Sequence, residues 1–183
     1  SHVFGDDDID DLFASAIETG DDNPEQSVYL LHRVLEIAPD YLGGKARGMV
    51  EKLEAPLNRK RSADLLKRAQ DARKNGLIEQ AIAFAQDAQK LDPSYAEITT
   101  FIARCEIVRV QKAFKEHRLD DAVTFMRAIF ETVPTSGAPV HAELGDFLIK
   151  EINDRLPDAL TILKKVTQIP ALNQTRWFSK LSS

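Results

Sequence analysis

The sequence predicts an all-α fold of repeated helix pairs, about nine or ten helices in a single domain over residues 1–183. Three observations carry that expectation. Ser27 to Pro39, Ala81 to Pro93 and Ala122 to Pro134 each run twelve residues from a small residue to a proline, and a fixed ruler of this kind marks a repeated helix-turn-helix unit. Apolar residues recur at three- to four-residue spacing ahead of each proline. The longest apolar runs are a few residues, far short of the roughly 20 that span a bilayer.

From the N-terminus, Asp6 to Ala16 reads as an acidic amphipathic helix with Ile9, Leu12 and Phe13 on its apolar side. Aspartates there favour the positive end of the helix dipole. One reading packs Ile9, Leu12 and Phe13 inside the first repeat. The other is a docking motif, because the segment resembles the acidic motif with which flagellar switch proteins dock on a response regulator. A loop at Gly20 to Pro24 leads to a second helix with Ser27, Leu31, Val34 and Ile37 inward.

Pro39 and Pro93 are 54 residues apart, about twenty more than one repeat of roughly 34. An inserted helix near 41–53, weakened by Gly43, Gly44 and Gly48, and a basic linker at Ala55 to Arg61 are expected to take up the difference. The clearest unit follows, from Ser62 to Pro93. Leu65, Leu66, Ala69 and Ala72 form one face of its first helix, Asn75-Gly76 suits a left-handed cap, and Ala81, Ile82, Ala85, Ala88 and Leu91 face inward from its second. Proline at 93 ends it.

Pro93 and Pro134 are 41 residues apart, so the segment 94–117 is expected to be one long helix projecting about two turns beyond its neighbours. Val110 and Ala113 line it, His117-Arg118 turns, and Ala122, Met126 and Ile129 supply the partner. A weaker copy has Leu144-Gly145, Leu148, Ala159, Leu163 and Val166 before Pro170. Trp177, Phe178 and Leu181 are expected to cap the end of the array within 171–183, or to anchor a partner.

The Ser62–Pro93 unit resembles a tetratricopeptide repeat, through Leu65, Ala69, Ala72, Gly76, Ala81, Ala85, Ala88 and the closing Leu91-Asp92-Pro93. Weaker copies lie around 9–40, 103–135 and 139–170. The resemblance implies a right-handed α-solenoid whose first helices line a concave groove, and it assigns Gln70, Arg73, Lys74, Arg104, Gln111, Phe114 and Lys115 to the partner-binding face. The asparagine and lysine clamp that some members use for chaperone C-termini is not reproduced.

Charge is distributed unevenly around a net −5. Residues 1–25 hold nine acidic side chains and no lysine or arginine, whereas Arg59, Lys60, Arg61, Lys67, Arg68, Arg73 and Lys74 crowd 59–74 against Asp64 and Asp71. Seven cations suit phosphate neutralisation, but no aromatic residue interleaves them for base stacking. A solvated face or a contact with an acidic protein suits them better.

Residues for catalysis are lacking. His2, His32, His117 and His141 form no metal-binding pair on a helix face, Gly43-Gly44 lacks the lysine and hydroxyl spacing of a phosphate loop, and Asp120-Asp121 reads as a helix-start pair. Cys105 is alone, so it reads as a buried apolar side chain. Ser1-His2 reads as a tag remnant, with 1–5 a tail, which makes a fragment the expectation. The preferred function is a non-enzymatic, cytoplasmic adaptor without cofactor or membrane insertion. It would bind a partner protein or peptide in a signalling, motility or secretion assembly. Self-assembly into a homo-oligomer and nucleic-acid binding through 59–74 are the alternatives.

Overall fold

The computed structural model describes residues 6–134, 138–155 and 159–168. Pro170, Trp177, Phe178 and Leu181 lie outside them, as do the side chains of Ala159 and Leu163. Eight helices and no strand are present among the described residues: α1 (Asp6–Thr19), α2 (Pro24–Ile37), α3 (Lys45–Lys74), α4 (Ile78–Leu91), α5 (Ala96–Lys115), α6 (Leu119–Thr132), α7 (Pro139–Asp154) and α8 (Ala159–Val166). Two compact units divide inside α3, between Asp64 and Leu65.

The first unit is built on α1, α2 and the start of α3. Asn23 caps α2 by accepting the Gln26 amide at 3.1 Å, and Pro24 occupies the first turn, where no donor is needed. The core holds Ile9, Phe13, Ala16, Leu31, Val34, Ala46 and Val50, with Leu12 and Ile37 partly buried against it. Tyr41 closes this core, its ring edge-on to Phe13 at 5.2 Å and its hydroxyl donating to Asp10. Ser27 shows how close α2 comes to α1: fully buried, it donates to the Ala16 carbonyl at 2.6 Å.

In the second unit the apolar residues form two clusters. One joins Leu66, Ala69 and Ala72 of α3 to Ala81, Ile82, Ala85 and Ala88 of α4 and to Ile98, Phe101, Ile102 and Cys105 of α5. The other joins Ala103, Ile107, Val110, Ala113 and Phe114 of α5 to α6, α7 and α8, with Met126, Ile129, Leu144, Leu148 and Val166 inside. α5 is longer than its neighbours, 20 residues against 14 in α4 and α6, though it runs from Ala96 to Lys115 and not over the whole of 94–117. Its extension does not stand free, however. The N-terminal half packs on α4 and the C-terminal half on α6 and α7, so the extra turns connect two cores.

Arg109 of α5 reinforces that connection. Its guanidinium lies 3.1 Å from the buried Glu106 carboxylate, 3.2 Å from Glu79 of α4 and 4.0 Å from the ring centre of Phe125 on α6. Burial pushes the Glu106 carboxyl above its ordinary range, and the neighbouring Arg109 charge pulls it back.

The ruler read from the prolines extends to the backbone. α2, α4 and α6 each have 14 residues, and each C-cap before the proline is non-helical with nearly the same angles: Ala38 at φ −138°, Asp92 at φ −139° and Val133 at φ −126°. Proline disfavours helical geometry in the residue before it, which accounts for the shared shape. Two turns also match. The Leu77 amide donates to Ala72 at 2.9 Å and Gly76 to Arg73 at 3.0 Å; the Arg118 amide donates to Ala113 at 2.8 Å and His117 to Phe114 at 3.1 Å. Both are Schellman caps, with Gly76 at φ 76° and His117 at φ 59° in the left-handed position.

The basic linker does not exist as such. Residues 55–61 continue α3 from Lys45 straight to Lys74, through Pro56, and residues 41–44 are a turn. Proline removes one helical hydrogen bond and costs about 3 kcal/mol, but Glu51, Lys52, Glu54, Ala55 and Leu57 around it are strong helix formers. The inserted helix and the first helix of the next pair are therefore one element.

Gly76→Ala, with open space around the new methyl, is expected to lose about 1–2 kcal/mol for backbone reasons alone. Gly48→Ala, inside α3, should gain about 1 kcal/mol, and His117→Gly should gain up to about 1 kcal/mol by relieving its left-handed backbone. Urea denaturation of the three variants reads the signs.

Candidate functional site

A cleft of about 420 Å³ opens between the C-terminal end of α3 and the N-terminal half of α5. Gln70, Arg73 and Lys74 form its α3 wall, and Glu97, Thr100, Phe101 and Arg104 its α5 wall. Helical geometry explains both sets. Positions 70, 73 and 74 share a face by three- and four-residue steps, as do 97, 100, 101 and 104. The apolar residues of the same helices, Ala69, Ala72, Ile98 and Ile102, turn into the core beneath. Phe101, only 8% exposed, sits at the junction of core and cleft.

Three cations converge here. Arg73 lies over the Phe101 ring at 5.8 Å, an arrangement in which the ring's negative face attracts the guanidinium. Arg104 donates to Glu143 of α7 at 3.0 and 3.3 Å, and both side chains are half exposed. Among the described residues neither Arg73 nor Lys74 forms an ion pair. Among the described residues Glu97 is the one carboxylate in the lining. Cys105 lies fully buried next to Arg104; burial pushes its thiol up to about 11, against the opposing pull of the Arg73 charge.

Of the seven residues that the sequence assigns to partner binding, the structure brings Gln70, Arg73, Lys74 and Arg104 together in this cleft. Gln111 and Lys115 are exposed further along α5, outside the lining, on the side that continues from Arg104 by helical steps. Phe114 is a correction. It is 1% exposed, packed edge-on against Phe147 at 5.5 Å, and belongs to the core of α5, α6 and α7. The equivalent of a groove-facing Arg73 in the earlier pair is thus a core aromatic in the later one, because α7 covers that side of α5.

Glu97, Thr100 and Phe101 were missed, although their spacing from Arg104 was readable once α5 was known to begin at Ala96. Ile9 and Phe13 of the docking motif are 6% and 7% exposed, and Leu12 packs against the same core, so their apolar faces are spent on α2 and α3. In the basic segment, Arg61 pairs with Glu25 at 3.3 Å and Arg68 lies over Phe84 at 4.5 Å. Asp120 and Asp121, in the first turn of α6, pair with Lys165 and Arg118.

No model of a known protein family matches the chain, and no curated protein matches its sequence. No helix among the described residues is long and apolar enough to cross a membrane, and they contain no grouping of three or more metal-ligating side chains.

Cys105 offers a direct check on the packing beside the cleft. At pH 8 the folded chain should be alkylated at least about a hundredfold more slowly than the urea-unfolded chain, since a thiol near its ordinary pKa of about 8.5 is far more ionised. Mass spectrometry of iodoacetamide-treated samples measures the ratio.

Proposed function

We propose that this chain is a non-enzymatic adaptor of tetratricopeptide type, a right-handed solenoid of helix pairs that binds a partner protein. The observation that carries the reading is the cleft between α3 and α5, the first helices of two successive pairs, with Gln70, Arg73, Lys74 and Arg104 on its walls. The constant length of α2, α4 and α6 and their matching C-caps support the repeat. So do the paired Schellman turns at Gly76 and His117.

The mechanism is binding on a preformed surface. Both walls rest on fully buried neighbours, including Ala69, Ile98 and Cys105, so little ordering cost is left for the moment of association. Long polar side chains on the walls pair with the backbone and charged groups of an incoming segment, while the aliphatic stems of the cations supply apolar contact.

Proteins captured from a cell lysate of the source by the intact chain are to be compared with those captured by an Arg73→Ala/Arg104→Ala variant and by a Lys150→Ala variant. At least one partner is expected to be retained by the intact chain and Lys150→Ala and lost by the double variant. Identical capture by all three would remove the cleft from the account and leave the helix pairs standing.

A further inference from the structure

The cleft's charge arrangement specifies its occupant more narrowly than the adaptor reading, on which this inference rests. We infer that the α3–α5 cleft takes an acidic peptide segment, one of whose carboxylates lies among Arg73, Lys74 and Arg104. Arg73 and Lys74 have no ionic partner among the described residues, and Arg104 is held by a half-exposed Glu143 that a bound carboxylate can displace or share. Three cations in one concave site raise the local potential, and arginine forks match carboxylate geometry in two parallel hydrogen bonds.

The same residues argue against a nucleic-acid strand. Glu97 in the lining and Glu143 beside Arg104 place carboxylates at both ends of the α5 row, where a continuous phosphate backbone would meet them. Phe101 is nearly buried and covered by Arg73, so it presents no open ring face for base stacking. A peptide tolerates both features, because its charges are discrete and its backbone is neutral. The site also orders the segment. Glu97 repels acid at the N-terminal end of α5, so the carboxylate sits toward Arg104, and an apolar neighbour rests on the aliphatic stems of Arg73 and Lys74.

Fluorescence anisotropy with a short synthetic peptide of glutamates interspersed with leucine, against a matched peptide with lysines for glutamates, tests the inference. The acidic peptide is expected to bind, more tightly at low salt, and the lysine peptide not to bind. Arg73→Glu/Lys74→Glu should weaken binding by about tenfold or more, and Glu97→Gln should strengthen it. Lys150→Glu/Lys164→Glu, which makes the same charge change away from the cleft, should weaken it much less. Circular dichroism establishes that each variant is folded. Equal weakening by the two double variants would reduce the effect to net charge and overturn the inference, as would failure of the acidic peptide to bind. Binding of the lysine peptide, abolished by the cleft variant, would overturn acidity while sparing the adaptor reading. Acidic-peptide binding untouched by the cleft variant would defeat both. Preference for a peptide copied from residues 6–19, together with a mass that rises with concentration, would make a second copy the occupant and overturn the assignment to a partner protein.

Discussion

Close contact at one small buried residue per pair is the constraint on which the helix pairs depend. Ser27, Ala81 and Ala122 occupy the same place, four residues into the second helix, and all three are 0% exposed. At Ser27 the contact is visible as a hydrogen bond across to the α1 backbone. A small side chain here sets how near the two helices lie, and that separation fixes which residues of the first helix face its partner and which face solvent. Gln70, Arg73 and Lys74 reach the cleft because Ala69 and Ala72, one position before each step, are committed to α4 and α5.

α5 carries the second unit. Residues along nearly its whole length are buried, first against α4 and then against α6 and α7. The Arg109 cluster adds a buried charge between these helices. A buried ion pair is weak support for stability as such, and here Glu106 is buried while Arg109 is partly exposed and Glu79 largely exposed, so the cluster acts mainly by positioning. Glu106, Glu79 and Phe125 therefore hold Arg109 in one geometry, and with it the register of α4, α5 and α6. The cleft sits on the N-terminal half of this same helix, so its walls inherit that register.

Much of this was legible from the sequence because proline and small residues act locally. The three prolines impose one backbone shape on Ala38, Asp92 and Val133 whatever lies around them. Gly76 advertised its left-handed turn, whereas His117 performs the same role without a glycine to announce it. The unbroken α3 was not legible, since Pro56 is a helix breaker by propensity and only the sum over its neighbours reverses that. Neither was the burial of Phe114. Matching one pair to the next placed it in the groove, but its ring packs on Phe147 of α7 in the core, where Arg73 of the earlier pair lines a cleft. Repetition predicts what each unit does to itself and says little about what a later element does to it.

The most direct measurement of this account is the thermal unfolding of three single variants, Ser27→Leu, Ala81→Leu and Ala122→Leu, each followed by circular dichroism. If the small residue sets the helix separation in every pair, all three lose stability, by about 1–3 kcal/mol or more, because a larger side chain has no room at a close-packed contact. A neutral or stabilising leucine at any one of the three would show that its pair is not held by this contact, and the equivalence of the pairs would fail there.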